Sequence, residues 1–202
     1  MRTKGVATGL LVLTAIGVTA CSKPPEQAIQ AGSAAMEEAK AAGAEVYATA
    51  ELQKAQDLLN QAEAAKRAQD ERFVLFRSYD ESEKLYGQAK AELDATRQAA
   101  AAGREQARVD ASQAVETARG ALATANEALA NAPKSKDSKA DLELWANDLA
   151  TYATTVAEAD AAIAAEDFPG AKAKADGVTE KANEITASIQ AAIEKVNAAR
   201  RR

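Results

Sequence analysis

The feature that most constrains the fold is a seam of small and apolar residues between Tyr79 and Asn131. Its members recur at steps of three or four residues, the spacing that places side chains on one face of an α-helix. A helix unbroken over 79–131 would be about 80 Å long at 1.5 Å per residue. The seam consists of Tyr79, Ser82, Tyr86, Ala89, Leu93, Thr96, Ala100, Gly103, Ala107, Ala111, Ala114, Ala118, Leu122, Ala125 and Leu129.

The composition agrees with helices that pack closely along thin seams. The chain is rich in alanine, and aromatic residues make up only 4% of it. Alanine is the strongest helix former but buries little apolar area, so a thick core is not expected. We therefore predict an all-α fold of long alanine-rich helices, arranged in antiparallel hairpins or an elongated helical bundle.

Two helices are predicted before the long one. The first covers about 26–42 and ends at Gly43, and the second runs from about Val46 to Arg72. Ser78 stands three residues before Glu81, a capping-box pattern that predicts the start of the third helix near 79.

Two more helices are predicted after Pro133, which ends the long helix. Asp137 or Ser138 can cap the fourth, over about 139–166, and the fifth runs from about 170 to the end of the chain. Trp145 and Tyr152 lie seven residues apart on one face of helix four, which predicts that both face the core. The predicted segments are a signal peptide at 1–20, a lipidated tether at 21–27, an alanine-rich helical domain at 28–131, a loop at 132–140 and a C-terminal helical hairpin at 141–202.

The first twenty residues are typical of a bacterial export signal. Arg2 and Lys4 are followed by an uncharged, mostly apolar stretch over 5–20, which is short for a membrane-spanning helix. Val18, Thr19 and Ala20 then precede Cys21, the only cysteine of the chain.

This ending resembles the lipobox of bacterial lipoproteins, in which a branched residue and two small residues precede a lipidated cysteine. The resemblance implies cleavage before Cys21 and acylation of its thiol, so that the membrane is a partner through N-terminal acyl chains. Ser22, rather than aspartate, follows the cysteine; in a Gram-negative source this implies the outer membrane, facing the periplasm. The alternative is an ordinary secretory signal followed by an unrelated cysteine.

Charge and residue types exclude several functions. The chain has a formal charge of −5, and loss of residues 1–20 leaves 25 − 2 = 23 basic and 30 acidic side chains, or −7. Nucleic acid is not an expected partner, because phosphate binding needs a basic surface. Without histidine, neither a histidine-based catalytic triad nor the usual zinc sites can form. We predict no enzyme, no catalytic residue, no metal and no cofactor, and we interpret the carboxylate pairs Glu37–Glu38 and Glu166–Asp167 as solvated charges.

The segment ERFVLFRS is the strongest candidate for a binding site. Phe73 and Phe76 enclose Val74 and Leu75, and four consecutive apolar residues cannot all lie on one face of a helix. The favoured interpretation is a core plug between helices two and three. The alternative is an exposed apolar patch in which Phe73 and Phe76 bind a partner or a membrane.

A pattern of Gly-Ala, Tyr-Ala and Glu-Leu, followed by alanine and leucine at helical spacing, recurs in the first half of the chain. Its members are Gly43, Ala44, Tyr47, Ala48, Glu51, Leu52, Ala55, Leu59 and Ala62, with Tyr79, Ala89 and Asp94 on the partner helix. Through these residues, 22–100 resembles a family of bacterial lipoproteins that carries the domain of unknown function 4398. The family often has a proline soon after Tyr-Ala, where this chain has Thr49 and Ala50. The resemblance implies a helical envelope lipoprotein and no activity.

These observations predict a non-enzymatic, lipid-anchored envelope protein that serves as a structural spacer or protein-interaction module. The alternatives are a peptidoglycan-associated structural lipoprotein and a periplasmic helical chaperone or adaptor. Covalent attachment to peptidoglycan through a C-terminal lysine is disfavoured, because the chain ends in AARRR and its last lysine is Lys195.

Overall fold

The structure is a computed structural model that describes residues 23–133 and 138–201. In this part of the chain it contains α-helices and one short 3-10 turn, Val74–Phe76, and no strand. The α-helices are α1 Glu26–Ala41, α2 Ala44–Tyr47, α3 Thr49–Asp70, α4 Asp80–Asn131, α5 Lys139–Ala164 and α6 Phe168–Arg200. The all-α prediction is confirmed.

The long helix α4 is unbroken over its 52 residues and is the axis of the molecule. The predicted seam faces inward along most of its length, because its members from Tyr79 to Ala100 and from Ala111 to Ala125 are buried. At 1.5 Å per residue, the helix is about 78 Å long. The other helices lie along one half of α4 or the other, so the molecule is a rod of two helical bundles that share this axis.

The first bundle consists of α1, α2 and α3 packed on the first half of α4. Tyr79, next to the start of α4, donates a hydrogen bond to Asp70 at the end of α3, and Lys54 pairs with Glu92 at 2.9 Å. These two contacts make α3 antiparallel to α4. The main core cluster of the first bundle is mostly alanine and consists of Ala35, Ala39, Ala44, Ala48, Leu52, Ala55, Leu93 and Ala100.

The second bundle consists of α5 and α6 packed on the second half of α4. Its core contains seven residues larger than alanine: Val115, Leu122, Leu149, Val156, Val178, Ile185 and Ile189. Trp145 and Tyr152 pack against this core and are half-buried. The C-terminal hairpin therefore shares a hydrophobic core with the long helix.

The two bundles meet at the middle of α4. Phe168, at the start of α6, is buried with Ala111 and Ala171, and the ring of Tyr47 from the first bundle packs against this cluster. Next to it, a Cβ atom on Gly103 would lie 2.8 Å from the carbonyl oxygen of Tyr47. Glycine is needed at 103 because the backbone of Tyr47 contacts α4 directly.

Two details of the predicted helices are wrong. Predicted helix two is interrupted at Ala48, whose backbone is not helical (φ −147°, ψ 46°), so a four-residue helix precedes α3. The capping box does not form either. Tyr79, and not Ser78, holds the N-cap position of α4, and the Ser78 hydroxyl is 2.9 Å from the Asp80 carboxylate.

Candidate functional site at an exposed apolar tip

Four consecutive apolar side chains are exposed at the end of the rod where α3 turns into α4. The exposed fractions are 66% for Phe73, 46% for Val74, 69% for Leu75 and 72% for Phe76. We call these four residues the apolar tip. The two phenylalanine rings are tilted against each other, with centroids 6.3 Å apart, so they form one continuous surface.

The interpretation of this segment as a core plug is wrong. The polypeptide closes into a 3-10 turn in which the Phe76 amide donates to the Phe73 carbonyl oxygen at 2.9 Å. Helices α3 and α4 already cover one another through Leu52, Leu93 and the alanines between them. Within residues 23–133 and 138–201, no other element covers the turn at their end, and its side chains remain at the surface. Other large apolar side chains that are exposed in the described residues, Val46, Val109 and Leu144, are isolated, which is ordinary for a protein surface.

The loop that carries the apolar tip is held by hydrogen bonds to the end of α3. The Arg77 guanidinium donates to the carbonyl oxygens of Asp70 and Arg72, at 2.6 and 2.9 Å. These carbonyls lie at the end of α3 and just beyond it, where no later helical amide can bond to them. The Ser78 amide also donates to the Gln69 side chain at 3.2 Å. The loop is therefore tied to the helix on both sides of the apolar tip.

A second set of bonds fixes the base of the loop around Asp70. Its carboxylate accepts from Lys66 at 2.7 Å and from the Tyr79 hydroxyl at 2.6 Å. The hydrogen bond from Lys66, followed by that from Tyr79, lowers the pKa of Asp70. The bond to this carboxylate is also the main reason that the pKa of Tyr79 is raised. Tyr79 is only 2% exposed, so the loop that carries the apolar tip ends at a buried, hydrogen-bonded ring.

The start of α1 lies at the same end of the rod as the apolar tip. Ile29 lines a surface groove with Lys66 and Tyr86, and Glu38 farther along α1 pairs with Arg97. Helix α1 is therefore parallel to α4 and antiparallel to α3. Glu26 is three residues before Ile29, about 4.5 Å closer to the tip, which places it level with the end of α3.

The other predicted site residue, Cys21, lies outside the described residues. The two acidic pairs have structural contacts instead of a shared site. Glu38 pairs with Arg97, Glu166 pairs with Arg104, and Asp167 caps α6 by accepting from the Gly170 amide at 3.0 Å. Within residues 23–133 and 138–201, no group of histidine, cysteine, aspartate and glutamate could hold a metal ion. No helix in this described part is long and apolar enough to cross a membrane.

Comparisons with protein-family models, curated proteins and solved structures found no match to this chain. The resemblance to a lipoprotein family therefore stays a prediction.

Sequence reasoning identified the apolar tip as a candidate but missed the residues that hold it. Asp70 and Tyr79 are nine residues apart, which is not a helical spacing. Asp70 and Arg77 are seven apart, but the backbone between them is not helical, so helical periodicity does not predict their contact. One signal was available: no glycine or proline lies between α3 and α4. A tight turn without either residue needs side chains to bond the free backbone groups.

Proposed function

We propose that this chain is a lipid-anchored protein of the bacterial envelope that acts as a non-enzymatic spacer on the periplasmic face of the outer membrane. The observation that carries the proposal is the position of the N-terminal end. Cys21, the lipobox cysteine, precedes Glu26 by five residues, and Glu26 begins α1 at one end of the rod. A lipid on Cys21 would hold the rod by its end.

The dimensions of the rod support a spacer. Five extended residues reach at most about 18 Å, so the anchored end stays close to the bilayer. The opposite end is separated from it by the whole of α4, about 78 Å. Helices α1, α3, α5 and α6 pack along both halves of this helix and support it against bending. The protein would hold whatever binds its far end at a defined height above the membrane.

The proposal is tested first at Cys21. Mass spectrometry of the mature protein should find cleavage before Cys21 and acyl chains on it, and Cys21→Ser should release the protein from membranes or leave it unprocessed. Ser22→Ala is the matched control, since it leaves the cysteine in place. A soluble mature protein with an unmodified thiol would contradict the proposal.

The spacer role is tested at the far end. A photocrosslinking amino acid at Leu144, which is 57% exposed, should capture envelope proteins or peptidoglycan in intact cells. The same amino acid at Val109, at mid-rod and 44% exposed, is the control. Equal capture at both positions would indicate that the rod binds partners along its side, and the spacer role would be wrong.

A partner-binding adaptor is the second candidate, and the exposed apolar tip is the observation that favours it. In that case Phe73→Ala and Phe76→Ala should each leave thermal stability unchanged and remove crosslinks to an envelope protein. Aromatic anchors of this kind often dominate the binding energy of an interface.

A further inference from the structure

We propose that the apolar tip inserts into the same membrane leaflet that holds the N-terminal lipid, as a second attachment point. This inference rests on the proposed function, because it requires the lipid on Cys21. It adds a partner for the Phe73–Phe76 surface, namely the lipid bilayer itself. The protein would then be attached to its membrane at two points, through the acyl chains and through the apolar tip.

The position of the apolar tip favours lipid over a protein partner. Glu26 and Asp70 lie at nearly the same height along the rod, and the lipobox cysteine is within about 18 Å of Glu26. The tip therefore faces the bilayer across a gap no greater than that reach. A folded protein domain of ordinary size, about 30 Å across, does not fit into this gap while the anchor is in place.

The chemistry of the tip suits the interface of a bilayer. Four apolar side chains point outward, and an arginine flanks them on each side, at Arg72 and Arg77. Apolar side chains of interfacial proteins enter the boundary between lipid headgroups and acyl chains to a depth of about 5–10 Å. Arginine at their edge can remain at headgroup level. The net charge of the mature chain is negative, so attraction to anionic lipids does not supply this contact.

The loop is also prepared for insertion before any membrane is present. Arg77, Ser78 and Tyr79 bond it to the end of α3, so the four side chains are presented without an ordering step. A binding element that is already in its bound conformation loses less conformational entropy on binding.

The test places a fluorescent reporter in the apolar tip of the full lipidated protein. Leu75→Trp is made together with Trp145→Phe, which removes the only native tryptophan. The protein is reconstituted in vesicles of phosphatidylethanolamine and phosphatidylglycerol in which some acyl chains carry bromine. The matched control is Leu144→Trp in the same background, since Leu144 is also an exposed leucine.

The control position lies far from the tip. Arg119 pairs with Asp160, and α5 runs back along α4, so Leu144 is about 80 Å from the apolar tip along the rod. We expect the Leu75→Trp reporter to be quenched several-fold more than the Leu144→Trp reporter, and its emission to shift to the blue. Adding Phe73→Ser and Phe76→Ser to the Leu75→Trp protein should reduce the quenching to the control level, with Cys21 still acylated and the protein still bound to vesicles.

Other outcomes overturn the inference in distinguishable ways. An acylated, vesicle-bound protein whose Leu75→Trp reporter is not quenched by lipid overturns the inference and leaves the proposed function intact. If that reporter is shielded from aqueous iodide but not quenched by lipid, a second copy of the chain covers the tip. Equal quenching at both positions means that the rod lies flat on the membrane. An unacylated Cys21 overturns both the proposed function and this inference.

Discussion

The two bundles share one long helix, but their cores differ in residue composition. In the first, the main cluster of eight buried residues contains six alanines with Leu52 and Leu93, and the buried rings of Tyr79 and Tyr86 lie outside this cluster. In the second, seven of the fourteen are branched aliphatic residues. The second bundle thus buries more apolar surface per core position, and burial of apolar surface is the main favourable term in folding.

The first bundle compensates with close approach and polar contacts. Small side chains let its helices approach closely. The carbonyl oxygen of Tyr47 lies only 2.8 Å from the position that a Cβ atom on Gly103 would take. The buried hydroxyls of Ser82 and Thr96 donate to backbone carbonyls of their own helix at 2.9 and 2.8 Å. From this difference we expect the stability of the second bundle to fall when side-chain volume is removed from its core. The stability of the first bundle should fall when side-chain volume is added between its helices.

The largest effect is expected from removing volume in the second bundle. Leu149 is 2% exposed within that core, and Leu149→Ala should lower the free energy of unfolding by about 2–5 kcal/mol. Leu144→Ala, on the same helix at an exposed position, is the matched control and should change it by less than about 0.5 kcal/mol. Thermal and urea unfolding followed by circular dichroism measure both. Similar losses in the two variants would contradict the assignment of the core.

A smaller effect is expected from adding volume in the first bundle. Gly103→Ala places a methyl group against the backbone of Tyr47, which cannot move as a flexible side chain can. The expected cost is about 1–3 kcal/mol, measured by the same unfolding curves. A neutral or stabilising result would mean that α2 does not contact α4 closely at this point.

The exposed glycines of α4 should respond in the opposite direction. A Cβ atom on Gly87 or Gly120 would meet no other atom within 4 Å, and alanine is the better helix former. Gly87→Ala in the first bundle and Gly120→Ala in the second should each raise the free energy of unfolding by about 0.5–1 kcal/mol. Since neither position belongs to a core, the two gains should be equal. Unequal gains would show that the bundles differ in more than their cores.

The smallest effect is expected from the hydrogen bond below the apolar tip. The folded state lowers the pKa of Asp70, so the contribution of this carboxylate is present above about pH 3.9, its unfolded value, and is lost as the pH falls through the folded value. The folded state raises the pKa of Tyr79, so the contribution of its hydroxyl is lost as the pH rises above about 10.

Tyr79→Phe should therefore lower the melting temperature between about pH 4 and pH 10. The difference from the wild type should shrink as the pH falls below about 4 through the folded pKa of Asp70, or rises above about 10 through the folded pKa of Tyr79. Tyr86→Phe is a control, since Tyr86 is buried on the same helix face. A difference for Tyr79→Phe that persists well below pH 4 would contradict the role of the Asp70 carboxylate.

Several elements were predictable from the sequence because they depend on local chemistry. The seam of α4 follows from the period of the helix, and the end of α1 follows from Gly43, whose positive φ of 85° suits glycine. The end of α4 next to Pro133 follows from the missing amide of proline. In these cases a single residue type or a repeating spacing decides the outcome, whatever packs around it.

Other features were decided only by the tertiary structure. Helix two breaks at Ala48 although its residues favour helix. The break accompanies the packing of α2 on α4, in which Ala44 is buried and the backbone of Tyr47 lies against Gly103. The exposure of Phe73 and Phe76 was also undetermined, since four consecutive apolar residues have no helical or strand period. Burial depends on whether another element is present to cover a side chain, and at the end of α3 and α4 the described structure places none. The sequence by itself determined the long helices and which face of α4 is inward. Only the packing of helices decided the break at Ala48 and which apolar residues remain at the surface.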